Sequence, residues 1–192
     1  TILAALMGLS LASASGFRVF LPPFILSLAV RTDTFVNLDL SGTEFAAFDS
    51  NAAVIVLGIA CLAEFGAYYV PWLDNLLDTI ATPAAVVSGV SMTSMALVGS
   101  DPIIQWSFAI IAGGGSAGII QVTTVAIRGL SSTLTMGFGN SFVASGENIA
   151  SVILTIAALI APLIAAIFAV ILVALLIRQS IKITAEKSTQ GT

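Results

Sequence analysis

The chain has 192 residues, 58% of them hydrophobic and 8% charged, with a mean hydropathy of +1.09. Soluble domains carry roughly 25% charged residues, so this composition excludes an ordinary water-soluble fold and indicates an integral membrane protein. Ten acids against 6 bases give a net charge of −4, and the bases are too scattered to form a nucleic-acid surface.

The sequence holds no His and one Cys. That excludes His-based acid–base catalysis, the commonest haem ligands, zinc sites of the Cys/His type and an intrachain disulfide. No cofactor and no metal is expected. Cys61 stands in an apolar run and reads as a small buried hydrophobe rather than a reactive thiol.

Five apolar runs approach the ~20 residues that a spanning helix needs. The first, residues 2–30, lacks the basic flank of a secretory signal and contains Arg18. Ser15 and Gly16 before Arg18, with Pro22 and Pro23 after it, predict a broken or kinked helix there. A polar, acidic loop follows over 31–50. The second run, 52–70, contains Glu64 and stops at Pro71.

Residues 71–83, PWLDNLLDTIATP, predict a short amphipathic helix. Trp72, Leu73, Leu76, Leu77 and Ile80 share one face, and Asp74 and Asp78 share the other at i, i+4 spacing. Such a helix lies at the interface or faces a wet cavity. The third run is 84–99 and the fourth 103–127, where Gly113, Gly114, Gly115 and Gly118 suit close helix packing or a helix break.

Residues 129–148, GLSSTLTMGFGNSFVASGEN, are rich in Gly, Ser and Thr and nearly uncharged. They form a candidate re-entrant segment, with a surface loop as the plainer alternative. Within them TMGFGN, 135–140, resembles the filter of a potassium channel, which lines a pore with backbone carbonyls. The upstream IRGLSSTL is a poor pore helix, and a Gly-permitted turn accounts for the same residues. That turn would carry Glu147 towards Arg18 or Arg128. The fifth run, 149–177, is long, with Pro162 predicted to kink it.

The expected fold is therefore an all-α integral membrane protein, one transmembrane domain over 1–192, with about five transmembrane helices. Arg178, Lys182 and Lys187 place the C-terminus in the cytoplasm. Five spans then put the N-terminus and Arg128 outside and the 31–50 loop inside.

A charge at the bilayer centre costs on the order of 2.5–3.5 kcal/mol, so Arg18 needs a carboxylate or a wet cavity. Glu64 is the first choice of partner, with Asp74, Asp78 and Glu147 as further candidates. Either a structural ion pair or a binding site fits these residues. The candidate substrate- or ion-binding set is Arg18, Glu64, Asp74, Asp78, Arg128, Asn140 and Glu147.

Three blocks, GFRVFLPP (16–23), PWLDNLLDTIATP (71–83) and IRGLSSTLTMGFGNSFVASGEN (127–148) followed by APL (161–163), occur in that order. Together they resemble a family of small bacterial multipass membrane proteins known as a domain of unknown function, family 4126. The resemblance covers about residues 13–165. Its last block there reads Gly-Leu-Gly-Asn-Pro, then a Ser and a Glu-Asp pair; here Ser141 replaces the Pro and the pair is Glu147-Asn148. The resemblance implies location and fold type without an activity.

The favoured function is a carrier or channel for a small solute or ion built on a buried Arg/acid cluster. A non-catalytic subunit of a larger membrane assembly is the alternative, and an enzyme is not expected. Membrane lipid, further copies of the chain or partner membrane subunits are the expected partners, and nucleic acid is not.

Overall fold

Ser15 is the last helical residue before Gly16, and the chain does not resume a helix until Leu21. The break lets α1 (Ile2–Ser15) and α2 (Leu21–Arg31) fold back on each other. Met7 of α1 and Val30 of α2 enter the same apolar cluster, while Ser15 and Val19 both meet the Ser88 hydroxyl. Fourteen and 11 residues span about 21 Å and 17 Å at 1.5 Å per residue, short of the ~30 Å hydrocarbon core. The first apolar run is thus a helical hairpin with Arg18 at its tip, and the expected single span over 2–30 is corrected. Pro22 and Pro23 fit the first turn of α2, where no amide partner is required.

The chain is described by a computed structural model over residues 2–136 and 138–190, without the side chains of residues 71–76, 78 and 179–190. Among the described residues every regular element is helical. Helix α3 (Asn51–Ala67) is capped by the Ser50 hydroxyl and packs mainly against α2. The amphipathic helix and third span are one element, α4 (Pro71–Ala96), which passes through Pro83. Next, α5 (Pro102–Phe108), capped by Asp101, runs through a π-helical stretch, Ala109–Gly114, into α6 (Gly115–Thr135).

Most of the segment 129–148 is helix, which corrects its reading as irregular backbone: α6 reaches Thr135 and α7 (Asn140–Ile160) starts five residues later. The fifth run is likewise two helices. Pro162 cannot donate an amide to continue α7 and instead opens α8 (Pro162–Gln190). Ser151 of α7 donates to the Ala14 carbonyl, while Val173 and Ile177 of α8 line one cavity with Leu9 and Ser13 of α1. Helix α8 therefore turns back along α1.

Among the described residues three helical stretches are long and apolar enough to cross a membrane: Thr79–Ala96, Pro102–Thr135 and Asn140–Ile160. The other apolar helices are shorter, against the about five spans expected from the sequence. Large aliphatic side chains such as Ile111, Leu130, Ile153 and Ile164 stay exposed on the outer faces, as lipid-facing residues of a membrane protein do.

Small residues set the central crossing. A Cβ on Gly113 would lie 2.3 Å from Thr93 Oγ1 and 2.8 Å from the Gly89 carbonyl, and one on Gly89 would lie 2.6 Å from Ala117 Cβ. The sequence offered packing or a helix break for this glycine run; the chain packs it closely on α4 and passes through it without a break, as a π-helical stretch within a continuous helix.

The bundle has two unlike ends. Leu40 and Phe45 of the 32–50 loop pack with Met7, Met95 and Leu159, and Phe45 also meets the Trp106 ring. Arg18, Tyr68, Arg128 and Glu147 gather towards the other end. The N-terminal helix thus starts at the same end as the 32–50 loop, opposite Arg128. The expected sidedness had separated the N-terminus from that loop, because it counted 2–30 as a crossing.

Candidate functional site

Gly16 permits the tip of the α1–α2 hairpin to sit against α6: a Cβ there would come within 2.7 Å of the Ala117 carbonyl and of Ile120 Cβ. That seating carries Arg18 into the middle of the bundle, fully buried. Its guanidinium is met on every side. Nη1 donates to Glu147 Oε2 at 2.7 Å and to the Phe17 carbonyl at 2.9 Å; Nη2 donates to the Ala144 carbonyl at 3.0 Å; Nε donates to Asn148 Oδ1. Three of these acceptors lie on α7 at positions 144, 147 and 148, the i, i+3, i+4 spacing of one helix face.

Arg128 enters from α6, also buried, with Nε 3.3 Å from Glu147 Oε1. One carboxylate is therefore shared by two guanidiniums, one oxygen to each. The Tyr68 ring adjoins both, with Arg18 Cζ and Arg128 Cζ each 4.2 Å from its centroid. Guanidinium planes stack readily on aromatic faces, and a desolvated contact of this kind contributes about 2 kcal/mol.

Glu64 does not pair with Arg18, which corrects the first choice of partner. Its Oε1 accepts the Val19 amide at 2.7 Å and its Oε2 accepts the Phe20 amide at 3.0 Å. The carboxylate closes the open N-terminal end of α2, where amides lack helical acceptors and negative charge is favoured. Helix α3 ends at Ala67, so Glu64 lies in its last turn rather than two turns inside. Ser88 completes the clamp by donating to the Val19 carbonyl at 2.9 Å.

The remaining candidates are more distant. Asn140 donates to Ser132 Oγ at 2.8 Å and ties α7 to α6. It stands two helical turns, about 10 Å, before Glu147. Asp74 and Asp78 lie on the first turns of α4, and their side chains fall outside the described residues.

The TMGFGN stretch is a helix–helix turn, which corrects its filter-like reading. Thr135 ends α6, Met136 adopts the left-handed conformation at φ 54°, and Gly139 donates its amide to Thr135 Oγ1 at 2.8 Å. A Cβ on Gly139 would crowd the Ser131 and Thr135 side chains, so glycine lets them close on the turn. Gly137 lies outside the described residues. The turn does deliver Glu147 to both Arg18 and Arg128, as the sequence suggested.

Tyr68, Asn148 and Ser88 were missed from sequence. Tyr68 follows Glu64 at i+4, on the same helix face, which was the available signal. Asn148 was read only as a departure from the Glu-Asp pair, yet its Oδ1 accepts from Arg18 where a second acid would.

The centre is a buried cluster in which Arg18 and Arg128 both hold the Glu147 carboxylate. No curated protein and no solved structure matches the chain. The family model described as "Domain of unknown function (DUF4126)" matches residues 5–182, the whole extent that carries this centre, and the chain belongs to that family.

Proposed function

We propose that the protein carries a small anionic solute across the membrane, with Arg18 and Arg128 as its binding groups and Glu147 as the internal anion it displaces. One observation carries this reading: the two buried guanidiniums already hold a single carboxylate between them, one oxygen each. A small carboxylate or phosphate presents the same acceptor geometry, which arginine matches with paired donors. The hairpin tip supplies the movable part. It is short, interrupted at the charge, and clamped by side chains from three helices, as in carriers whose broken helices form the site.

In this reading Arg128, Arg178, Lys182 and Lys187 lie towards the cytoplasm. The 32–50 loop faces away from it with Arg31 as the one base at that end, so the Lys/Arg bias follows the positive-inside rule. The test is uptake of radiolabelled acetate and of phosphate into proteoliposomes. The expected result is uptake above empty liposomes that Arg18→Gln abolishes and that Asp74→Asn reduces. Uptake unchanged in both variants would overturn the mechanism.

A second reading, an accessory subunit of a membrane complex, is favoured by a different observation. Leu134, Met136, Phe138 and Phe142 stand more than four-fifths exposed around the α6–α7 turn. If a partner subunit covers them, Phe138→Ser with Phe142→Ser breaks co-purification with that subunit and leaves the isolated chain folded.

A further inference from the structure

Helix α3 packs mainly against α2, and between α3 and α4 lies a lateral crevice. Two cavities make it up, of about 440 Å³ and 490 Å³, and they share Val19, Phe20, Ile80 and Ala84 on their walls. Each is within the 300–1,000 Å³ usual for small-molecule sites. The walls are almost wholly apolar. Among the described lining residues the one charged group is Glu64.

An acyl chain from the bilayer could fill such a crevice, but it has no use for a buried carboxylate. Each Glu64 oxygen accepts one backbone amide, and a carboxylate oxygen can accept two hydrogen bonds. Acceptor capacity thus remains on a negative group set in the apolar wall. Arg18 and Arg128 are engaged by Glu147 and do not line either cavity, whereas the Tyr68 ring that both touch does. Among the described lining residues, Glu64 is the charge that an occupant of the crevice meets. We infer that the crevice between α3 and α4 binds a lipophilic cation, its apolar body against Phe20, Ile80 and Ala84 and its positive centre at Glu64. This site is separate from the anion centre behind Tyr68.

The probe is tetraphenylphosphonium, measured by equilibrium dialysis on the full chain in zwitterionic nanodiscs, against tetraphenylborate, of the same shape and opposite charge. Saturable binding of the cation is expected, at least ten-fold tighter than any saturable binding of the anion. Glu64→Gln should weaken it at least ten-fold. Ala84→Phe, which fills the crevice and leaves Glu64 in place, should weaken it similarly. Binding of the borate as tight as the phosphonium would overturn the inference without recourse to any variant. So would undiminished phosphonium binding in a folded Glu64→Gln or Ala84→Phe protein. Anion uptake that depends on Arg18 is read independently, so failure here leaves the carrier reading standing and the reverse also holds.

Discussion

Removing the shared carboxylate is the most informative perturbation of the buried centre. In Glu147→Ala, Arg18 keeps Asn148, two backbone carbonyls and the Tyr68 face, but it loses its 2.7 Å ionic hydrogen bond. Arg128 loses the contact at 3.3 Å in the same step. Stripping one partner from a buried ion pair costs about 3–5 kcal/mol, because the remaining charge is left in a low-dielectric interior. Glu147→Gln is milder. Its amide oxygen still accepts from one guanidinium, so the loss approaches that of one charged hydrogen bond, about 1.5–3 kcal/mol. Reversible unfolding in mixed micelles, titrated with SDS, measures both. Adding Arg18→Met to Glu147→Ala should recover part of the loss, since an uncharged pair needs no compensation. Equal stability of Glu147→Ala and wild type would refute the claim that this carboxylate holds the two arginines in place.

Other outcomes follow from particular contacts. Gly113→Ala should cost about 1–3 kcal/mol by overpacking, since its Cβ would collide with Thr93 Oγ1 and the Gly89 carbonyl; the same SDS titration reads it. Met136→Gly should stabilise by about 1 kcal/mol, because it relieves a left-handed backbone at an exposed side chain that packs on little. The Ser41 hydroxyl and then its amide hold the Asp39 carboxyl below the usual Asp range. The loop order this supports is present above the ordinary Asp pKa and lost as pH falls through the lowered one. Carboxyl ¹³C shifts should show the Asp39 midpoint rising towards the ordinary value in Ser41→Ala.

Much of the local chemistry was legible in the sequence. Arg18 with Gly16 before it and Pro22 and Pro23 after it signalled a helix break, because two prolines lack the amides of a helix interior and suit the first turn of a new helix. The pairing of Glu147 with Arg18 and Arg128 was reachable from the Gly-permitted turn at 136–139. What was not legible is direction. A run of 29 apolar residues reads the same whether the chain continues across or folds back, since hydropathy counts residues and not the sign of the axis. The same holds for 149–177, where Pro162 starts a returning helix instead of kinking one. Glu64 was misassigned because opposite charge was the only sequence criterion for a partner. The competing acceptor demand, two bare amides at the start of α2, exists only once the hairpin has formed. In 129–148 the helices form against the weak propensity of a Gly-, Ser- and Thr-rich stretch, and its hydroxyls are satisfied by carbonyls three or four residues back within α6 and α7, as at Thr133, Thr135 and Ser145.

The central claim is that Arg18 and Arg128 recognise an anion by the paired-donor geometry that now holds Glu147. Proteoliposome uptake of labelled acetate by Arg18→Lys tests it most directly, because lysine keeps the charge and removes the fork of donors. The account predicts uptake at least ten-fold below wild type, in a protein that elutes as wild type does. Uptake at the wild-type rate would contradict it.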